Sequence, residues 1–361
     1  MARSDPAGCT GAAAVAADGT ACSSWTVWEL EASVTVTDPR LLGPAESIVR
    51  SVVSGVDLAC SRFRDDSELM RLQPRMPHGV PVSPMFRLLL ERALDAAALT
   101  GGDVDPTLGA DLAALGHGPG QEDGHAVTPG HPGIRSIPVP PMPSTPVEPE
   151  PRAPGWSRLH LDANTLTLPA DLRLDLGASA KAVAADLAAA EVYRQLGCGV
   201  LVGLGGDIAG AGPGPLPEGH RAGADARGEP RQWQILVQDL PSDPAQYISL
   251  APGFALATSS TQKRRWVHHG TQVHHILDPR FGLPAEAVWR TVTVAAPACL
   301  DANALSTAAI VRGFAAVEWF QAEGIPARLV DSRGRVTSTG GWPAANAAPV
   351  EAAGTGGAHH G

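Results

Sequence analysis

Apolar positions along the chain alternate in short runs and recur at helical spacing in longer ones. In "ASVTVTD", Ala32 to Asp38, apolar and polar residues alternate, which predicts a strand. "GPAESIVRSVVSGVDLACSRF" carries its apolar residues three and four apart and predicts a helix from about Pro44 towards Cys60. A second helix runs from Ser83, a capping residue, to the glycine stop at Gly101 and Gly102. Beyond Trp156, "RLHLDANTLTLPADLRLDLG" reads as short strands turning at Asp162 to Asn164. "ASAKAVAADLAAAEVYRQLG" is a helix ended by Gly197, and "GVLVGLGGD" a strand entering a glycine turn. That strand, helix and strand read as a βαβ unit. "QWQILVQD", "YISLAPGFALATS" and "TVTVAAP" add strands, and "RRWVHHGTQVHHILD" a hairpin turning at His269-Gly270. "DANALSTAAIVRGFAAVEWFQAEG" is expected to be one helix with Asp301 as its N-cap. The expected class is α+β or α/β-like, a mixed sheet with packed helices.

Three stretches fall outside this pattern. Residues 1–23 and 343–361 are expected to be disordered tails. Residues 116–154 are rich in Gly, His and Pro, with eight prolines between Ile137 and Pro154. No packed element fits there, so a flexible insertion is expected. One domain, residues 24–342, remains.

Composition narrows the function. Apolar residues make up 44% of the 361, enough for a sizeable core. The net charge is −10, Lys181 and Lys263 are the only lysines, and no basic run occurs. Nucleic-acid binding, which needs phosphate neutralisation, is disfavoured. Five cysteines, an odd count without a CxxC pair, argue against a disulfide framework or a thiolate zinc site and suit a reducing compartment. The residues before Cys9 include Arg3 and Asp5 and no apolar run, so no signal peptide or lipoprotein cysteine is read, and a cytoplasmic location is expected.

Several strings suggest chemistry. "HHGTQVHHILDP" places four histidines between His268 and His275. Adjacent strand residues face opposite ways, so His274 and His275, or His268 and His269, are poor partners for one zinc. Strand histidines without a role are the plain alternative. His275 differs in its fixed spacing to Asp278-Pro279, which places an imidazole and a carboxylate at one strand-to-turn junction. Ser260 to Lys263 is an S-x-x-K string, but the S-D-N and K-T-G strings that accompany it in penicillin-binding enzymes are absent. "GLGGDIAGAG" never gives G-x-G-x-x-G in register, and prolines rather than a helix follow it, which disfavours a Rossmann site. Asp175 and Gly177 precede a helix start bearing Lys181, an arrangement suited to an anion or simply an ordinary turn. Asn303 and Thr307, four apart on one helix, could offer oxygens to Mg²⁺ or could be plain packing.

Seven strings occur in a specific order: "SRFRDDSEL", "GGDVDPTLG", "LDLGASAKAVAAD", "LVGLGGDIAGAG", "LATSSTQKRRW", "HHILDPRFGLPA" and "DANALSTAAIVRG". In these the chain resembles the ApbE family of flavin transferases, from about Trp25 to Trp342, and an ApbE-like, T-fold-like architecture is implied. The resemblance implies transfer of FMN from FAD to a threonine or serine hydroxyl of an acceptor protein, with Mg²⁺ as cofactor and AMP released. It implies His275, with Asp278, as catalytic, and the Ala180 carbonyl, Asn303 and Thr307 as metal ligands. Trp28 and Phe63 would hold the isoalloxazine ring. Asp105, Thr107, Lys181, Gly206, Asp207, Thr258 and Ser259 would line the rest of the FAD cleft. The alternatives are an Mg²⁺-dependent FAD pyrophosphatase and a non-catalytic flavin binder. The chain departs from the family at Asn303, where an Asp is usual, at Trp28-Glu29-Leu30, where M-G-T is usual, and at Ala182, where Gly is usual. An amide offers oxygen without charge, so weaker Mg²⁺ binding is expected unless Asp301 compensates.

Overall fold

The computed structural model describes residues 19–117, 151–215, 231–240, 243 and 245–344, with strand assignments also at 2–3 and 14–15. Nine strands form one sheet: β1 (Ala14–Val15), β2 (Ala21–Val27), β3 (Leu30–Val36), β4 (Val200–Leu204), β5 (Asp207–Ala211), β6 (Ala255–Ser260), β7 (Trp289–Ala296), β8 (Ala327–Asp331) and β9 (Val336–Thr339). Their order in space is their order in sequence, from β9 at one edge to β1 at the other. Every pairing between neighbours is antiparallel. The class is therefore α+β, but the expected βαβ unit is not formed. The short strands expected around Asp162 to Asn164 form as a small antiparallel pair, His160–Asp162 with Thr165–Thr167, but Leu172 to Gly177, just before the third helix, makes only an isolated parallel bridge from Arg173 to Leu108. Its leucines, Leu174 and Leu176, are spent instead on the core beneath the helices.

The helices are inserted between strands of this meander. Between β3 and β4 come α1 (Leu42–Cys60), α2 (Pro84–Thr100) and α3 (Ala180–Leu196); between β7 and β8 come α4 (Cys299–Arg312) and α5 (Ala315–Ala322). The Ser83 hydroxyl accepts from the Phe86 amide at 3.2 Å and opens α2, and Gly101, at φ 65°, closes it. α3 packs on β4 and β5, and α4 on β6 and β7. The opposite face of the sheet meets a small sheet, Trp233–Val237 with Gln246–Leu250, through Leu201, Ile208 and Leu256. Both faces are thus covered, which is why every residue of β4, Val200 to Leu204, is buried.

The expected single helix from Asp301 is two. It begins at Cys299, breaks at Gly313 and resumes as α5. Asp301 is not its cap. The Asp186 carboxylate, projecting from α3, accepts from the backbone amides of Cys299 at 2.8 Å and Leu300 at 3.0 Å. Burial pushes this carboxyl up to about 6, against the pull of those two hydrogen bonds.

The ordered chain reaches further than expected at several boundaries. β2 begins inside the stretch read as a tail, and the Pro343 and Ala344 carbonyls accept from the Gln246 amide. His117 and Arg152, at the two ends of the expected insertion, are anchored to Trp266 and Asp111. The rest of the insertion, residues 118–150, and of the tails, residues 1, 4–13, 16–18 and 345–361, lies outside the described residues, while Ala14–Val15, inside the expected N-terminal tail, forms β1. Cys60, Cys198 and Cys299 are buried thiols, but Cys22 is disulfide-bonded, which corrects the disulfide-free reading. An odd cysteine count leaves at least one thiol unpaired and does not forbid a bond.

Candidate active site

At one end of the sheet, several breaks in regular structure converge. They are the β4–β5 turn, the end of β6, the start of α3, the middle of α4, the loop after α2 and the segment following the histidine hairpin. Together they enclose a cavity of about 190 Å³ lined by Asp105, Lys181, Gly206, Asp207, Thr258, Ser259, His275, Asn303 and Thr307 among others. A second cavity, of about 540 Å³, is bordered by Trp28, Cys60, Phe63 and Ala180. Arg62, His117, Asp175, Lys181 and Arg264 line both, so the two form one bent cleft with cations at the junction.

The β4–β5 turn requires its glycines. Gly205 sits at φ 68°, and a Cβ on Gly206 would stand 2.8 Å from the Thr258 carbonyl oxygen. This close approach brings Asp207 against α4. There the Asn303 amide nitrogen donates to Asp207 Oδ1 at 3.0 Å. One turn further along α4, the Thr307 hydroxyl shares a 2.8 Å hydrogen bond with Ser259. Thr258 bonds Thr293 across β6 and β7 at 2.9 Å. Burial pushes the Asp207 carboxyl up, and the Lys181 ammonium opposes that shift. Burial lowers Lys181 in turn, helped by Arg264.

His275 is the titratable group best placed for proton transfer. Its Nδ1 is buried and has no hydrogen-bond partner among the described residues. Burial, then the charges of Arg264 and Lys181, hold its pKa well below the usual imidazole range, so it is a neutral base. The other histidines of the hairpin face elsewhere. His274 is tied to the Ala285 carbonyl, and His268 and His269 pack edge to face at 4.2 Å.

The second cavity has aromatic walls. The Trp28 indole N–H donates to Asp57 Oδ1 at 2.8 Å, which fixes the ring at the β2–β3 turn. That turn holds Trp28 and Glu29 at φ 50° and 59°, a left-handed pair built without glycine. Phe63 is 59% exposed and approaches His117 edge to face. An exposed aromatic ring beside a cavity suits a flat ligand.

The donors fit a hard divalent cation. The Asn303 amide oxygen is buried and has no partner among the described residues, Thr307 offers a hydroxyl, and the Asp207 carboxylate accepts from the Asn303 amide nitrogen. Ala180, the first residue of α3, borders the neighbouring cavity. Asp301 does not line either cavity; the charges it meets are those of Asp95 and Arg92 on α2.

Two expected site residues are used otherwise. The Asp278 carboxylate receives the Arg280 backbone amide at 2.9 Å and the Arg280 guanidinium at 2.6 Å, and no hydrogen bond joins it to His275. It shapes the turn after the hairpin. Thr107 does not line either cavity: its amide and hydroxyl donate to Asp105 Oδ1, while Asp105 Oδ2 accepts from Gly155 and Trp156. That knot fastens the chain where it returns from residues 118–150. Conversely, Arg62 and Arg264 were not singled out in the sequence. Lys263 ends the S-x-x-K string set aside above and Arg264 follows it, and both line the first cavity. The available signal was a charged pair entering the same hairpin that delivers His275.

The sequence profile of the ApbE family matches residues 26–329. A Treponema pallidum protein named FAD:protein FMN transferase is 31% identical over 270 residues, covering 72% of this chain and 68% of its own. A Salmonella typhimurium protein of the same name is 27% identical over 299 residues, covering 80% and 76%. Among solved structures, the apo form of Pseudomonas stutzeri flavinyl transferase ApbE aligns with a TM-score of 0.67 at 23% identity, covering 89% of this chain and 94% of that one. The ApbE protein of Thermotoga maritima gives 0.67 at 24%, covering 88% and 96%. These two likenesses speak to fold, and the profile match over most of the chain speaks to descent: the chain belongs to the ApbE family.

Proposed function

We propose that this protein is an FAD:protein FMN transferase that moves FMN from FAD onto a threonine or serine hydroxyl of an acceptor protein. The observation that carries the reading is His275, a half-buried imidazole held neutral, whose buried Nδ1 has no hydrogen-bond partner among the described residues, in a cavity that also presents Lys181, Asn303 and Thr307. The bent cleft suits a dinucleotide. The aromatic cavity takes the isoalloxazine ring, the cations at the junction face the pyrophosphate, and the smaller cavity lies beyond.

In this reading the acceptor oxygen attacks the phosphorus of the FMN half. The new oxygen–phosphorus bond forms as the bond to the bridging oxygen breaks, and AMP leaves with that oxygen. His275 takes the hydroxyl proton. Lys181, with Arg62 and Arg264, offsets the charge of the pyrophosphate. Asn303 and Thr307, with the Ala180 carbonyl, would hold Mg²⁺, which when bound stabilises charge on the phosphoryl oxygens. Asp278 shapes the turn that carries His275 and does not touch the proton.

Chromatography of the nucleotides after incubation with FAD and Mg²⁺ tests the reading, with and without a threonine-bearing acceptor domain. A transferase releases AMP only as flavin becomes covalent. Free FMN with AMP in both arms means a pyrophosphatase, and unchanged FAD means a binder.

A further inference from the structure

The carboxylate usual on the metal helix of this family is an amide here, and the structure shows what stands beside it. We propose that Asp207 is a positioning residue for the cation site: it grips the Asn303 amide by its nitrogen and so commits the oxygen to a divalent cation. The inference rests on the flavin-transferase reading for the identity of the site.

An amide side chain has a donor end and an acceptor end of nearly the same shape, so sterics do not choose which faces a cavity. Here a hydrogen bond chooses. Asn303 Nδ2 donates to Asp207 Oδ1 at 3.0 Å. Asn303 and Asp207 are 8% and 3% exposed, so water is a poor substitute for either partner. The other end, Oδ1, is buried and accepts from nothing among the described residues. A buried acceptor without a donor is costly unless something occupies it. The Thr307 and Ser259 hydroxyls share a hydrogen bond, and Asn303, Asp207, Ser259 and Thr307 all line the same cavity. A cation there meets neutral oxygens from α4 and negative charge from β5. Asp301 does not line that cavity, so the charge that an Asp on α4 would carry is displaced to the neighbouring strand.

A plain structural reading is that the hydrogen bond only ties α4 to β5. The two readings separate when cation binding is measured directly. Mn²⁺ is titrated into the full chain, with and without FAD, and free Mn²⁺ is followed by electron paramagnetic resonance; melting temperatures are recorded alongside. Asp207→Asn keeps the shape and an acceptor but removes the charge and no longer dictates the orientation of Asn303. It is expected to weaken Mn²⁺ binding about 10- to 100-fold, the range for residues that orient a ligand. The double variant Asp207→Asn with Asn303→Asp reverses the roles and should recover most of that loss. Mn²⁺ affinity unchanged in Asp207→Asn overturns the proposal, whatever happens to the melting temperature. So does a double variant no better than the single one. If the unsubstituted chain transfers FMN but binds no Mn²⁺, the cation site is refuted and the transferase reading stands. If it binds Mn²⁺ but transfers nothing, the transferase reading fails while the Asp207 comparison still decides this proposal.

Discussion

His274 and His275 are neighbours in the chain and lie in opposite chemical environments. The His274 Nε2–H donates to the Ala285 carbonyl at 2.9 Å, and its Nδ1 accepts from the Ile276 amide at 3.3 Å, so both nitrogens are spent. His275 Nδ1 has no partner among the described residues, and the residue lines the first cavity. His275→Ala is expected to cut flavin transfer by about 10²- to 10⁴-fold, the usual contribution of a general base, while FAD still binds. His274→Ala should leave turnover nearly intact but cost about 1–3 kcal/mol of stability, because two hydrogen bonds are lost in a buried place. Single-turnover transfer and urea denaturation of both variants check this; a milder effect on turnover at His275 than at His274 contradicts the assignment.

The pH dependence of turnover follows from the charges around that ring. His275 is held well below the usual imidazole range by burial first and Arg264 second, so its neutral form persists as the pH falls. The acid limb of kcat/KM should therefore lie below about pH 6.5, the ordinary histidine value. Arg264→Gln removes a repelling cation, stabilises the imidazolium and should move that limb to higher pH. A limb already at the ordinary value, or one that Arg264→Gln leaves in place, would show that His275 is not the titrating base.

Much of this was legible in the sequence, for physical reasons that differ between elements. The long helices carry their caps locally, Ser83 and Gly101 for α2 and Gly197 for α3, so their limits could be read. The hairpin turn at His269-Gly270 was read the same way, and both residues have positive φ. Strand partnership was not readable. Leu174 and Leu176 alternate like a strand but are used as core contacts, which only the tertiary fold decides. Asp186 capping α4 across 113 residues leaves no local signal either. At the site, spacing singled out His275, which lines the first cavity, and Asp278, whose carboxylate is bound by Arg280 two residues on.

Asp186 should leave a mark on stability. Its folded-state pKa, about 6, lies above the ordinary value of 3.8. A raised carboxyl contributes stability that is fully present below the unfolded value and lost as pH rises through the folded one. Asp186→Asn, which cannot ionise, should therefore gain on the parent as pH rises from 4 towards 7, by about 2–3 kcal/mol at most. Denaturation of parent and variant across about pH 3.5 to 7 gives the difference; a flat difference would place Asp186 at an unshifted pKa.

Gly206 should not tolerate a side chain. An added Cβ would stand 2.8 Å from the Thr258 carbonyl oxygen, a backbone atom that cannot swing away. Gly206→Ala is expected to cost about 1–3 kcal/mol, as overpacking does, and to pull Asp207 from Asn303. Weakened Mn²⁺ binding together with a lowered denaturation midpoint would agree with this. A variant as stable as the parent would mean the β4–β5 turn has more room than its geometry shows.

The proposed reaction joins FMN to a protein hydroxyl in this cleft, with His275 receiving the proton. Intact mass spectrometry of a threonine-bearing acceptor domain, after incubation with the protein, FAD and Mg²⁺, addresses it most directly. The account predicts an acceptor heavier by one FMN less one water, an adduct lost when the acceptor threonine is replaced by valine and when His275→Ala replaces the parent protein. An acceptor of unchanged mass, or an adduct formed equally well by His275→Ala, would contradict it.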